Sequence, residues 1–201
     1  MRSHGWLLAA ALLPAGAAEA PWQLVLEPNH SSFAFSVEIA GGLTRVTGGF
    51  KEADLRIRWD PQAIERCSVE AAIRAASVDT RNDMRDADLR GPKFFDVANH
   101  PDITFRSRRI EKRGDAYVAL GELSIRGVSR QVELPFAVTG IEWHEGRPLL
   151  GVRIRWTIDR LDYGVGADWR HTGIPNFLAK EVAIEIDVWT KLGRKEGEPA
   201  R

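Results

Sequence analysis

The chain has 201 residues, enough for one domain with a substantial core, and Lys plus Arg balance Asp plus Glu at 28 each. That balance excludes a global field of the kind that draws nucleic acid or an anionic membrane. A single cysteine, Cys67, excludes an intramolecular disulfide, so stability is expected from packing and backbone pairing.

In chain order, Arg2 precedes an apolar run, Trp6–Leu13, and small residues follow at Ala15, Ala17, Ala18 and Ala20. This is the layout of a cleaved secretory signal, and the run is too short to span a bilayer. Residues 1–20 are therefore read as a signal peptide with cleavage near 17–20. Ala17 or Ala18 is preferred over Ala20, which would put Pro21 first in the mature chain. Period-two alternation then dominates. Trp22, Leu24 and Leu26 share one face; Phe33, Phe35, Val37 and Ile39 share the next; Leu55, Ile57 and Trp59 another. Cys67, Val69, Ala71 and Ile73 continue the pattern, and the thiol reads as a small buried apolar group. Asp79–Arg90 lacks alternation and is expected to be helical, with Asp79 or Thr80 capping it.

Lys93–Ser107, KFFDVANHPDITFRS, follows with paired Phe94 and Phe95, a turn at Asp96, and His100-Pro101 leading into a strand whose Ile103 and Phe105 share a face. In Gly121–Pro135, GELSIRGVSRQVELP, Gly127 lies between two alternating runs, as a tight hairpin requires. Val132, Leu134, Phe136 and Val138, then Val152, Ile154, Trp156 and Ile158, and finally Val182, Ile184, Ile186 and Val188 complete the strands. Each has one dry and one wet face, the pattern of an antiparallel sheet, and so many edges favour closure into a barrel. The connection Gly164–Lys180 is long, glycine-rich and loop-like, and Gly193–Arg201 is charged and expected to fray.

The two blocks at Lys93–Ser107 and Gly121–Pro135 resemble the YceI-like family of bacterial periplasmic lipid-binding proteins. Ser77–Arg90, the Arg160–Gly166 turn and Gly48-Gly49-Phe50 resemble further family elements in the same order, so the likeness runs from about Trp22 to Thr190. The insert Asp168–Lys180 departs from the family pattern and bears on ligand identity more than on fold. The resemblance implies an all-β, extended eight-stranded antiparallel lipocalin-like barrel with a short helical insert, spanning 21–191 and followed by a flexible tail at 192–201. It further implies that the lumen holds a long-chain amphiphile, polyisoprenoid or fatty-acid-like, without transforming it.

The residues expected to line that lumen are Phe33, Phe35, Val37, Phe94, Phe95, Phe105, Phe136 and Trp156. Candidates for the mouth or head group are Arg160, Asp162, Tyr163, Arg81 and Trp169. For Arg160 the competing role is a local structural pin; for Asp96 it is a turn cap. No cofactor or metal is expected, because the histidines are scattered and no nucleophile elbow, P-loop or dinucleotide fingerprint occurs. No nucleic-acid partner is expected, and transient membrane contact is compatible with export to the periplasm. Two rivals stand beside the carrier. One is a hydrolase of a lipid-like substrate using Asp96, Asp162 or His171; the other is a filled barrel serving as a stress-response or interaction module.

Overall fold

The computed structural model describes residues 21–114 and 116–195, so the expected signal at 1–20 lies outside the described residues. The alternating segments form strands β1 (Trp22–Val25), β2 (Ser32–Ile39), β3 (Thr44–Phe50), β4 (Ala53–Trp59), β5 (Ser68–Arg74) and β6 (Val78–Asp79). A short helix, α1 (Asp83–Arg90), separates these from β7 (Asp102–Arg113), β8 (Ala116–Ile125), β9 (Val128–His144), β10 (Arg147–Asp159), β11 (Leu178–Trp189) and β12 (Arg194–Lys195). They make one antiparallel sheet in the order β12-β1-β4-β5-β7-β8-β9-β10-β11-β2-β3-β6.

The expected eight strands are thus twelve among the described residues, and pairing runs in a line rather than around a closed ring. The difference comes partly from two-residue strands, β6 and β12, which are too short to carry any periodicity. The sheet nevertheless curls strongly. Leu26, just past β1, pairs with Thr190, just past β11, although seven places separate those two strands in the sheet order. The tail boundary also moves: Arg194 and Lys195 pair with Gln23 and Trp22, and the Lys195 ammonium lies 4.3 Å from the Trp22 ring centroid. Residues 196–201 lie outside the described residues.

Turn chemistry sets the register. Arg126 and Gly127 both have positive φ, 50° and 73°, between paired Ile125 and Val128, the two-residue hairpin geometry that matches strand twist. Strand β7 carries a bulge: Ser107 pairs with Gly121 but Arg109 pairs with Leu120, leaving Arg108 as the extra residue. A bulge of one residue reverses which positions face inward. Ile103 and Phe105 face the core before it, and Ile110 faces the core after it.

Helix α1 begins later than the sequence indicates. Its cap is Asn82, whose side-chain oxygen accepts from the Arg85 amide at 3.0 Å, whereas Asp79 belongs to β6. Thr80 is buried and donates through its amide to the buried Asp86 carboxylate at 2.9 Å, which ties the helix to the sheet. The core gathers Trp22, Leu24, Leu55, Ile57, Phe105, Leu123 and Leu150 on the concave side.

Candidate functional site: a one-ended apolar lumen

The curled sheet encloses a cavity of about 670 Å³, within the roughly 300–1,000 Å³ usual for ligand sites. Its wall is built by alternation. On β10 the inward positions are Leu150, Val152, Ile154, Trp156 and Ile158, which cover roughly 26 Å of strand at ~3.3 Å per residue. Val182, Ile184, Ile186 and Val188 of β11 stand beside them, with Leu178 ahead in the same strand. All eight side chains expected to face the lumen, Phe33, Phe35, Val37, Phe94, Phe95, Phe105, Phe136 and Trp156, line this cavity.

One end is a floor. Phe94, Ile125, Tyr163 and Val165 are buried there, and outside them Trp169 packs on Phe94 and Phe177, with ring centroids 6.0 Å apart in both pairs. His171 stacks on Phe177 at 4.3 Å. The opposite end is a rim. Apart from Thr104, whose side chain alternates outward, the exposed lining residues are Pro61, Gln62, Lys112, Ile141 and Trp143. These follow β4 or occupy the far ends of β7 and β9. Trp143 is 53% exposed and contacts Trp22 and Trp59 edge-on or tilted.

The expected mouth residues fall elsewhere. Arg160 lines the cavity but is half-buried, and its guanidinium donates to four backbone carbonyls: Ala179 at 2.8 Å, Val165 at 2.7 Å, Gly166 at 3.0 Å and Leu178 at 3.2 Å. Burial pulls its pKa below the ordinary arginine value, with Asp159 opposing and Arg170 adding to the shift. Tyr163 is buried in the floor, and burial raises its phenol above the usual value. Asp162, Arg81 and Trp169 do not line the cavity. Asp162 is exposed and accepts from Arg130 through its carbonyl oxygen, and Arg81 donates to Thr47 at 3.0 Å. Asp96 holds a turn, its carboxylate accepting from the Asn99 side-chain Nδ2 at 3.0 Å and 3.1 Å.

The rim residues Gln62, Lys112, Ile141 and Trp143 escape sequence reasoning. For Lys112 a signal existed: the apolar positions of β7 change parity between Phe105 and Ile110, which marks a bulge.

Comparison with known proteins agrees with this architecture. The YceI-like domain matches residues 24–189. A UPF0312 protein of Yersinia pestis (strain Pestoides F) is 33% identical over 137 residues, 68% of this chain and 71% of that one. The crystal structure of Burkholderia cenocepacia BcnA superposes with a TM-score of 0.73 at 23% identity, covering 83% of this chain and 99% of the other. A polyisoprenoid binding domain from Saccharophagus degradans superposes with a TM-score of 0.65 at 15% identity, covering 86% and 99%. At these identities both structures speak to the fold alone. With the motif blocks, the curled antiparallel sheet and a match across nearly all described residues, the chain belongs to the YceI-like family.

Proposed function

We propose that this protein binds or carries a long-chain amphiphile, such as a polyisoprenoid lipid, with its hydrocarbon in the lumen and without chemical conversion. The observation that carries the reading is the largely apolar lining of the 670 Å³ cavity from the Trp143 rim to the Tyr163 floor. Burial of each methylene there contributes about 0.8 kcal/mol, so ten methylenes offer about 8 kcal/mol before ordering costs. A tail therefore supplies most of the affinity. Family membership and the fold shared with a polyisoprenoid binding domain support the same ligand class. The signal-like start at Arg2, Trp6–Leu13 and Ala15–Ala20 supports work in the periplasm.

Native mass spectrometry of protein purified from its own periplasm tests both parts. The expected result is a mature chain lacking its first 17 to 20 residues and carrying a lipid-sized adduct that is lost on solvent extraction. An intact Met1 would overturn the cleavage reading, and protein recovered only from the cytosol would overturn the export reading. A bare chain that also takes up no long-chain prenol would overturn the carrier reading.

A further inference from the structure

Three charged residues line the cavity: Asp60, Lys112 and Arg160. Two are already satisfied by the protein. Asp60 is buried, meets the Arg66 guanidinium at 2.8 Å and accepts from the Gln62 amide at 2.9 Å. Arg160 is spent on its four carbonyls. Lys112 differs. It has no ion-pair partner among the described residues, and its one ring contact is the Tyr117 face at 6.0 Å.

The bulge at Arg108 explains why a lysine stands there. It turns Ile110 and Lys112 inward and Glu111 outward. Glu111 then engages Arg109 and Arg113 on the outer face, and Arg113 also holds Glu133 at 2.8 Å. The carboxylates of that network stand on the opposite side of the strand from Lys112. Across the ladder Lys112 pairs with Tyr117, and Tyr117 with Phe136, whose rings stack at 5.4 Å. The row runs from a cation at the rim to an aromatic wall leading into the lumen.

Resting on the lumen reading above, we propose that Lys112 is the head-group site, and that the ligand is an amphiphile with an anionic oxygen head, phosphate or carboxylate, entering tail first past Trp143. An ammonium is a compact point charge that accepts either anion without demanding a fixed geometry. Its flexible stem lets the charge stay in water while the methylenes lie along the apolar rim. The tail then points to the floor, where the half-buried Arg160 guanidinium already serves four backbone carbonyls. The head stays at the rim, where exposed Pro61, Gln62, Lys112, Ile141 and Trp143 meet the cavity.

Binding of a long-chain prenyl monophosphate and of the corresponding prenyl alcohol to the mature protein tests this, by displacement of a fluorescent fatty acid. Lys112→Ala is expected to weaken the monophosphate about tenfold or more, the scale of one lost charge-assisted contact, and to leave the alcohol within about twofold. Lys112→Arg should retain most of the preference, and added salt should erode it in the wild type but not in Lys112→Ala. Melting temperatures of the variants, expected to match the wild type, separate binding from folding. Equal weakening of both ligands, or no change in either, overturns the head-group role while leaving the lumen reading intact. A wild type that binds neither overturns both. Displacement by inorganic phosphate alone would show a free-anion site and overturn the amphiphile assignment.

Discussion

Replacing Arg160 by alanine separates a structural pin from a ligand contact. The four carbonyls it serves come from Val165, Gly166, Leu178 and Ala179, so one guanidinium joins the turn after β10 to the start of β11. Water can reach some of them once the side chain is gone. If two of the four stay dry, at about 1.5–2 kcal/mol for each lost charge-assisted bond, the variant loses about 3–4 kcal/mol. For a chain of this size that is a fall in Tm of roughly 6–16 °C. Arg160→Lys should recover only part of this, because an ammonium cannot span carbonyls on two segments as a planar fork does. Circular dichroism melts measure the stability, and lipid displacement on the same samples, at a temperature where each is folded, measures affinity. A Tm within about 2 °C of wild type together with a selective loss of anionic lipid would refute the pin and return Arg160 to the ligand.

The remaining expectations concern the wall. Gly121 faces the bulged segment so closely that an added Cβ meets the Arg106 carbonyl oxygen, the Ser107 Cα at 2.8 Å and the Phe105 ring at 2.9 Å. Two of the three obstacles are backbone, so Gly121→Ala should cost about 2–4 kcal/mol in urea unfolding; a neutral result would mean the bulge is placed wrongly. Cys67 lines the cavity, and burial raises its thiol pKa, with the Asp60 amide donating to the sulfur and opposing the shift. Alkylation by iodoacetamide at mildly alkaline pH should be roughly tenfold or more slower in the folded chain than in denaturant, rising with pH as the thiolate fraction grows. A filled lumen should slow it further, and equal rates with and without lipid would place the ligand elsewhere. Glu185→Lys, on the outer face beside Arg155 at 3.8 Å, should leave lipid retention unchanged, whereas Phe105→Asp places a carboxylate in the buried wall and should abolish retention or folding.

The wall was legible in the sequence because alternation is a direct image of inside and outside: Phe33, Phe35 and Val37 on β2, and Val152, Ile154 and Trp156 on β10, face the lumen as their spacing requires. The hairpin at Arg126-Gly127 was legible for a similar reason, since positive φ leaves a glycine behind. The rim was not. Its residues come from the ends of β7 and β9 and the turn after β4, and only the curl of the sheet brings them together. The choice between pin and head-group contact for Arg160 was not legible, because its acceptors are carbonyl oxygens, which every residue possesses and no pattern advertises. The start of α1 slipped because Asp79, Thr80 and Asn82 are all competent caps. The short ladder between β6 and β3 claims the first of them.

The two margins of the sheet, β12 and β6, are each two residues long. Edge strands are where one chain can recruit another through unpaired amides, and brevity is a known defence against such templating. At one margin Arg194 and Lys195 shield Gln23 and Trp22, so this two-residue strand acts as a stopper on β1. Shortening the chain past Arg194 removes almost nothing from the core yet bares a strand beside an exposed Trp143. Truncation there is therefore expected to change self-association at a place where stability measurements would register little change.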